Sequence, residues 1–210
     1  DRGIEFIEPD TGDMACGENG IGKFPEPKLI FEIVLSYINK NQNFVNQFKD
    51  ISILITAGPT IENIDPIRFV SNKSSGKQGF AIASELTKRG AKVTLVTGPV
   101  NIPFPNCENV IKVTTAQEML DNVTQQLPAD ILICSAAVAD WKLIPKKSSN
   151  KVIDINKKIK KTNGILSFET VNNPDILATI AKSNLRPKIV IGFSAETKNL
   201  KKNAYSKLIS

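Results

Sequence analysis

The sequence predicts an α/β protein with a doubly wound, mainly parallel, Rossmann-like sheet that carries helices on both faces. Apolar runs of strand length alternate with amphipathic stretches of helical length between residues 51 and 196. The stretches between the runs are long enough for the right-handed crossovers that join parallel strands. At 210 residues and 41% hydrophobic composition, the chain can bury one main core. We expect an irregular loop and one helix ahead of the sheet.

Local patterns predict each element along the chain. Pro27 opens an amphipathic stretch that indicates a helix over 27–39, whereas the glycines of residues 1–24 favour a mobile loop. Gly90 is expected to cap the first helix of the sheet region, and Asn173 is expected to be the N-cap of the last, with Pro174 at its first position. The predicted strands are 51–58, 92–98, 110–115, 130–139 and 188–196, and the predicted helices between them are 76–90, 116–127 and 172–183.

Charge and residue usage narrow the classes of function. One segment between Trp141 and Lys161 holds eight lysines and a single acid, Asp154, a local charge of +7, so the rest of the chain sums to about −1 within the net +6. A nucleic-acid surface would spread such charge over a face and interleave aromatic residues. The chain has no histidine, which excludes Ser-His and Cys-His catalysis and the commonest transition-metal ligand. We expect no nucleic-acid partner and no protein-built metal site, and any Mg²⁺ would arrive on a phosphate.

The cysteines and the apolar runs indicate a reduced, cytoplasmic protein. Cys16, Cys107 and Cys134 are odd in number and show no CxxC spacing, so a disulfide framework is not expected. No apolar run approaches the ~20 residues of a membrane helix, and the first residues lack the features of a signal peptide. Cys134 lies in an apolar strand and is expected in the core, whereas Cys16 lies among glycines and has access for chemistry.

Candidate site residues follow from the fold class, because ligands of doubly wound sheets bind beyond the carboxyl ends of the strands. Gly58 ends the first strand and permits a close approach to a ligand, although a turn with Pro59 explains it equally well. Ser74, Ser75 and Gly76 precede a helix, whose unpaired N–H groups and dipole favour an anion. A capped helix with a solvated tip is the other interpretation of that stretch.

Two further features follow the strand that contains Cys134. Asp140 stands at its end and either orients a ribose or base or caps the next turn. The lysine run of residues 157–161 is either a solvated face or a cationic flap that closes over a polyphosphate.

Several of these segments together resemble a known family. The segments are ITAGPTIENIDPIRFVSNKSSGKQGFAIA (55–83), SAAVADW (135–141), KIKK (158–161), NNPDIL (172–177) and GFSAET (192–197). In this order they resemble the phosphopantothenate–cysteine ligase domain of bifunctional coenzyme A biosynthesis flavoproteins. Upstream, PDTGDMACGENGIGKFPEP (9–27) resembles the end of the phosphopantothenoylcysteine decarboxylase domain of the same proteins.

The resemblance implies a domain organisation. Residues 1–39 would be a C-terminal remnant of the decarboxylase domain, 40–50 a linker, and 51–210 the ligase domain. The ligase domain would be truncated, since the family continues through a second lysine and further sheet-forming segments. Decarboxylation with FMN is implied for a longer parent protein only, in which Cys16 matches the proton donor. The family also implies a homodimer formed through the ligase domain.

The resemblance implies a CTP-dependent ligation of 4'-phosphopantothenate with cysteine through an acyl-cytidylate. Lys158 matches the lysine needed to form this intermediate, and Asn72 matches the asparagine needed to convert it. The phosphate of a substrate would contact Gly58 and the loop of Ser74, Ser75 and Gly76. Positions implied to contact CTP are Ser135, Ala136, Asp140, Lys158, Pro174, Asp175, Ile176, Leu177, Phe193 and Lys207.

Two other functions compete with the ligase. An NAD(P)-linked oxidoreductase uses the same fold class, but no GxGxxG follows the strand predicted at 51–58. A nucleic-acid-binding module using residues 142–161 would show a salt-steep, sequence-insensitive affinity for oligonucleotides.

Overall fold

The computed structural model describes residues 4–13, 19–38, 47–146, 156–160 and 167–209 of the chain. The strands are β1 (Ile4–Phe6), β2 (Asp10–Asp13), β3 (Asn19–Lys23), β4 (Ser52–Ala57), β5 (Ile61–Asn63), β6 (Phe69–Ser71), β7 (Lys92–Thr97), β8 (Asn109–Lys112), β9 (Ile131–Cys134), β10 (Trp141–Pro145), β11 (Phe168–Asn172) and β12 (Ile189–Gly192). The helices are α1 (Pro27–Ile38), α2 (Lys77–Lys88), α3 (Ala116–Gln125), α4 (Ile176–Ala181) and α5 (Leu200–Ile209).

A six-stranded sheet organises the molecule, in the order β1-β12-β9-β4-β7-β8 with every pairing parallel. The chain runs outward from β4 to β7 and β8, and then returns to place β9 and β12 on the other side of β4. The direction of winding therefore changes between β4 and β9, and at such a point ligands of α/β sheets bind. The doubly wound parallel sheet expected from the sequence is confirmed.

Alternate side chains of the central strand pack into two separate cores. Ile53 and Ile55 of β4 are buried with residues of α1 and α2 on one face of the sheet. Leu54, between them, is buried with residues of α3 and α4 on the opposite face. A strand covered on both faces reads as a nearly continuous apolar run, as ISILITA does with Ser52 and Thr56 as its polar residues. Each side chain buried in this way stabilises the fold by about 1.5–3 kcal/mol relative to an exposed one.

The N-terminal residues are more regular than the expected loop. β1 extends the sheet beside β12, and β2 and β3 form an antiparallel hairpin in which Gly12 faces Gly20. Asn19 donates its side-chain amide to the carboxylate of Asp13 at 2.8 Å, which ties the two strands together. α1 matches the helix predicted at 27–39 and packs on the sheet beside α2. The division of the chain at residues 39 and 50 stays a prediction, and most of the linker lies outside the described residues.

The last predicted helix begins later than the sequence suggested. Asp175, and not Asn173, is the N-cap of α4, and its side chain accepts from the N–H of Ala178 at 2.9 Å. The side chain of Asn173 is used elsewhere, because its amide donates to the carbonyl oxygen of Ala139 at 2.8 Å. At the end of α2 the C-cap is Arg89, and Gly90 follows it with φ +89°.

Two antiparallel hairpins project from the sheet where the sequence predicted no strands. β5 pairs with β6 directly after the end of β4, and β10 pairs with β11 after the end of β9. β9 is correspondingly short, since residues 135–140 leave the sheet as a loop.

Candidate functional site

The loops that follow β4 and β9 are hydrogen-bonded to each other at the point where the winding direction changes. The N–H of Ala137 donates to the carbonyl oxygen of Gly58 at 2.9 Å, and the N–H of Thr60 donates to the carbonyl oxygen of Ala137 at 3.2 Å. The buried hydroxyl of Thr60 then accepts from the N–H of Ala139 at 2.8 Å. The two strand ends therefore form one fixed floor for a ligand site.

Two glycines bring the start of α2 onto this floor. Gly58 has φ +72° and Gly76 has φ +75°, a backbone conformation that side chains disfavour. A Cβ on Gly76 would lie 3.4 Å from the Cα of Gly58 and 2.7 Å from Cγ1 of Val100. The turn after β4 and the first turn of α2 therefore meet backbone to backbone. This contact brings the predicted residues Gly58 and Gly76 together.

The two serines before Gly76 fold back on their own loop. The hydroxyl of Ser74 accepts from the N–H of Gly76 at 3.3 Å, and that of Ser75 accepts from the N–H of Lys77 at 3.5 Å. Ser74 is half-buried and Ser75 is exposed. Phosphate contact by this loop stays a prediction.

Asn72 reaches the end of β9 from the β5–β6 hairpin. Its side-chain amide donates to the carbonyl oxygens of Ala137 at 3.2 Å and Val138 at 3.0 Å. The hydroxyl of Ser71 donates to the carbonyl oxygen of Thr60 at 2.8 Å and fixes the base of the hairpin. Asn72 stays exposed in this position, so the structure places the predicted residue on the rim of the floor.

Ser135 and Ala136 begin the loop after β9, but their backbone N–H groups are already bonded. The N–H of Ser135 donates to the carbonyl oxygen of Thr56 at 3.1 Å, and the N–H of Ala136 donates to the hydroxyl of Thr56 at 3.3 Å. A ligand at these positions would therefore meet the Ser135 side chain or carbonyl oxygens.

Two buried hydroxyls at neighbouring strand ends lack a hydrogen-bond partner among the described residues. They are Oγ of Ser135, after β9, and Oγ of Ser194, after β12. An unsatisfied buried hydroxyl costs about 1–3 kcal/mol, so each marks a point where a ligand or water would be stabilised. Ser194 was not among the predicted site residues, although it lies within GFSAET.

Asn173 brings the predicted positions of α4 beside Asp140. The N–H of Asn173 donates to the carbonyl oxygen of Asp140 at 2.8 Å, which adds to its side-chain bond with Ala139. Pro174, Asp175, Ile176 and Leu177 follow directly, and the side chain of Leu177 lies over Gly192, where a Cβ would come within 2.5 Å of it. Asp140, residues 174–177 and the end of β12 are therefore neighbours.

Phe193 follows β12 and contacts the N-terminal segment. Its ring meets the ring of Phe24 edge-on, with centroids 5.3 Å apart and an interplanar angle of 82°. The amide of Gln78, in the first turn of α2, donates to the carbonyl oxygen of Pro25 at 2.9 Å. Residues 24–25 thus lie against two sides of the candidate site.

The lysine segment, of which the structure describes residues 156–160, is attached to the site by its backbone. Ile159 is held between Asp65 and Arg68 at the turn of the β5–β6 hairpin, and Lys158 and Lys160 on either side of it are exposed. The pKa of the buried Asp65 carboxyl lies well below its usual range, and the largest cause is hydrogen bonding from the side chain of Arg68. Asp65 and Arg68 were not predicted as site residues, although both lie in the turn of IDPIRF.

Cys107 and Cys134 are partly buried free thiols. Burial raises the pKa of the Cys134 thiol to about 12 and also raises the pKa of Cys107, so both thiols stay protonated near neutral pH. Cys134 packs against the core, as expected. Cys16 lies outside the described residues. Lys207 belongs to α5, but its side chain is not described.

Within the described ranges, no group of three or more histidine, cysteine, aspartate or glutamate side chains is placed to hold a metal ion. No helix in that part of the chain is both long enough and apolar enough to cross a membrane.

Comparisons with known proteins show the family to which the chain is similar. The family model for the DNA/pantothenate metabolism flavoprotein C-terminal domain matches residues 48–210. The Coenzyme A biosynthesis bifunctional protein CoaBC of Haemophilus influenzae is 40% identical over 208 residues, which are 99% of this chain and 49% of that protein. The protein of the same name from Borreliella burgdorferi is 43% identical over 206 residues, which are 97% of this chain and 50% of that protein. The chain thus spans about half the length of the curated relatives it matches.

A solved structure extends the likeness to the fold. The crystal structure of the C-terminal domain of a Coenzyme A biosynthesis bifunctional protein CoaBC aligns with a TM-score of 0.63 at 38% identity, covering 78% of this chain and 74% of that one. The segment matched by the family model, residues 48–210, begins just before β4 and contains the candidate site residues from Gly58 to Lys207. The chain therefore belongs to the family of the DNA/pantothenate metabolism flavoprotein C-terminal domain.

Proposed function

We propose that the protein acts in coenzyme A biosynthesis as a ligase that joins 4'-phosphopantothenate to cysteine at the expense of CTP. The observation that carries the proposal is the placement of Asn72, whose amide bridges two carbonyl oxygens at the end of β9 where the sheet changes winding direction. This is a ligand-binding position of the fold, and the chain is 40% identical over 208 residues to a protein named for coenzyme A biosynthesis.

The proposed reaction has two steps. A carboxylate oxygen of 4'-phosphopantothenate attacks the α-phosphorus of CTP, the bond to the bridging oxygen breaks, and pyrophosphate leaves. The amine nitrogen of cysteine then attacks the acyl carbon of the acyl-cytidylate and loses a proton, and CMP leaves with the carbonyl-bound oxygen. Activation is needed because a free carboxylate is a poor acyl donor, whereas the phosphate of CMP is a good leaving group.

Positive charge and oriented polar groups are what this chemistry demands of the protein. We assign Lys158 to the formation of the acyl-cytidylate and Asn72 to its conversion. CTP would lie along the ends of β9 and β12, against Ser135, Ala136, Asp140, Phe193, Lys207 and residues 174–177. Gly58 and the loop of residues 74–76 would hold a substrate phosphate. Mg²⁺ would arrive bound to the triphosphate, since phosphate oxygens suit it and the described residues build no metal cluster of their own.

We also propose that the protein is a cytoplasmic homodimer. Several apolar side chains of the two projecting hairpins are exposed, among them Phe69, Trp141, Ile144 and Val171. A second copy would shield them from water. The likeness of residues 9–27 to the decarboxylase domain leads us to assign FMN-dependent decarboxylation to a longer parent protein and not to this chain.

Nucleotide binding gives the first test. CTP, ATP and NAD are titrated separately into the protein with Mg²⁺, and the titration is repeated with Lys158→Ala. The matched control is Lys88→Ala, which removes the same charge from the exposed last turn of α2, at the opposite edge of the sheet. We expect CTP to bind best and Lys158→Ala alone to weaken it. Preferential binding of NAD would favour the oxidoreductase and contradict the ligase.

Turnover gives the second test. We expect release of pyrophosphate from CTP that requires 4'-phosphopantothenate, and formation of phosphopantothenoylcysteine that also requires cysteine, followed by mass spectrometry. Pyrophosphate release that is independent of 4'-phosphopantothenate would contradict the proposed first step.

A further inference from the structure

The turn of the β5–β6 hairpin binds Ile159 of the lysine segment through both main-chain polar groups of that residue. Oδ2 of Asp65 accepts from the N–H of Ile159 at 3.0 Å. Nη2 of Arg68 donates to the carbonyl oxygen of the same residue at 2.7 Å. The N–H belongs to the peptide group that joins Lys158 to Ile159, and the carbonyl belongs to the next one. Two attachments of this kind fix both the position and the orientation of the backbone that carries Lys158.

The two carboxylate oxygens of Asp65 have separate tasks. Oδ1 accepts from the N–H groups of Ile67 at 2.9 Å and Arg68 at 2.8 Å, and so closes the turn of the hairpin. Main-chain bonds from Ile64 and Asp65 to the carbonyl oxygen of Arg68 close the same turn. Oδ2 accepts from Nε and Nη2 of Arg68 and from Ile159, which is 94 residues away in the sequence. The turn itself does not need this second set of bonds.

Charge and burial strengthen this attachment. The Asp65 side chain is fully buried, while that of Arg68 is half exposed and reaches outward to Ile159. Two guanidinium nitrogens of Arg68 donate to one oxygen of this buried carboxylate, and charge-assisted hydrogen bonds are stronger than neutral ones. The pair is neutral overall, so it orients the segment without competing with Lys158 for a phosphate.

The same hairpin places Asn72. Arg68 precedes β6, and Asn72 follows it directly and donates to the loop after β9. One short hairpin therefore connects the segment that carries Lys158 with the residue assigned to the second step.

We propose that Asp65 is a positioning residue that acts through Arg68 and Ile159 to hold Lys158 for the first step of the reaction. The inference rests on the proposed function, because that function assigns the role of Lys158. Asp65 itself is buried, and the described contacts of its carboxylate are with Ile67, Arg68 and Ile159.

Proteolysis tests the attachment without any ligand. Trypsin cuts after lysine only where the backbone can open into an extended, accessible strand. Asp65→Asn keeps a single acceptor oxygen for the two sets of bonds that the carboxylate accepts, and it removes the charge that pairs with Arg68. We therefore expect cleavage after Lys157, Lys158 and Lys160 to become roughly 10-fold faster, which corresponds to the loss of about one charge-assisted hydrogen bond. Asp121→Asn, on the exposed face of α3, is the matched control and should cleave at the unmodified rate.

Half-reaction kinetics test the role. We expect Asp65→Asn to slow pyrophosphate release by roughly 10²-fold, the cost of displacing an oriented group by about 1 Å. Conversion of supplied acyl-cytidylate by cysteine should keep its rate. The double variant Asp65→Asn/Lys158→Ala should be no slower than Lys158→Ala alone, since two residues that act as one unit are not additive.

Arg68→Lys provides a second variant in case Asp65→Asn fails to fold. It leaves Asp65 and both turn N–H groups in place, but it removes the guanidinium that donates to Oδ2 of Asp65 and to the carbonyl oxygen of Ile159. We expect it to show the same faster cleavage and the same slower first step, each to a smaller extent.

Three outcomes would overturn the proposal. Unchanged cleavage in both variants would show that the attachment does not restrain the segment. Multiplied losses in the double variant would show that Asp65 acts independently of Lys158. If Lys158→Ala released pyrophosphate at the unmodified rate while Asp65→Asn was cleaved faster, the attachment would exist but would play no part in the reaction. Absence of any CTP-dependent pyrophosphate release from the unmodified protein would instead contradict the proposed function, and the cleavage rates would still report on the attachment.

Discussion

The side-chain amide of Asn72 donates to the carbonyl oxygen of Val138 across 3.0 Å. A second bond to the carbonyl oxygen of Ala137 makes the amide a bridge between the β5–β6 hairpin and the loop after β9. Both partners of the Asn72 side chain are carbonyl oxygens, which can only accept. The contact therefore depends on the N–H groups of the amide and not on the size of the side chain.

Asn72→Asp should therefore be far more harmful than its small change in shape suggests. The carboxylate would face two carbonyl oxygens without a proton to donate, and the side chain would turn away. We expect conversion of acyl-cytidylate by cysteine to fall by roughly 10²-fold, because the residue would leave its working geometry. Single-turnover kinetics measure this step. Asn109→Asp, the same change at the exposed start of β8, should have no effect, and equal losses in the two variants would contradict the role of Asn72.

Gly76→Ala should destabilise the protein. The residue has φ +75°, which costs a side chain about 1–3 kcal/mol, and the added Cβ would lie 2.7 Å from Cγ1 of Val100. Urea unfolding measures the loss of free energy. In a Val100→Ala background the contact is removed, so we expect part of the loss to be recovered and the part caused by the backbone to remain. Lys73→Ala, in the same loop, serves as the control, and a neutral Gly76→Ala would contradict the close junction.

Asp130→Asn should lower stability in a pH-dependent way. Hydrogen bonds from the N–H and hydroxyl of Ser52, at 2.9 and 2.8 Å, are the main causes that hold the pKa of Asp130 below its usual value of 3.8. A carboxyl whose folded pKa is lowered stabilises the fold above its unfolded pKa, and this contribution disappears as the pH falls through the folded value. We expect a loss of about 1–2 kcal/mol at pH 7 that shrinks on acidification.

Urea unfolding at a series of pH values measures the effect on Asp130. Asp121→Asn is the control, since that residue is exposed on α3 and bonds only to Gln117 among the contacts described for its side chain. A difference between Asp130→Asn and the unmodified protein that grows on acidification would have the wrong sign and would contradict the assignment.

Charges on the β10–β11 hairpin should dissociate the proposed homodimer. The register places Ile144 and Val171 on the same face of the hairpin, and each is 39% exposed. We expect Ile144→Lys/Val171→Lys to be monomeric by light scattering while its secondary structure stays unchanged. Leu185→Lys, which alters an exposed leucine after α4, should remain dimeric. A dimer that survives the double change would exclude this face as the interface.

The sheet was predictable because its strands are buried on both faces. Runs such as that of β4 are largely apolar, with Ser52 and Thr56 as the polar exceptions, and the helices between them show one apolar stripe. Periodicity alone therefore indicated the order of elements. The projecting hairpins were not predictable in the same way. In β11 four of five residues are exposed, so FETVN carries no pattern of alternate burial.

The candidate site was predictable where a fold rule applies and not where contacts are distant in sequence. The rule for strand ends indicated Gly58 and Asp140, whereas Ser135 was indicated only by the family resemblance. The pairing of Asp65 with Ile159 joins residues 94 positions apart, and no local pattern signals it. Asn173 was misassigned because a potential N-cap has the same local sequence whether its amide bonds its own helix or, as here, the carbonyl oxygen of Ala139.

The buried bond between the hydroxyl of Thr60 and the N–H of Ala139 has a consequence for how the site meets its ligand. Loops that are free before binding lose conformational entropy when a ligand orders them, and affinity falls accordingly. Here the two strand-end loops are already joined to each other, so that entropy is lost once, when the chain folds. A nucleotide that binds this floor would meet a preorganised geometry, so its binding free energy would not be reduced by the ordering of these two loops.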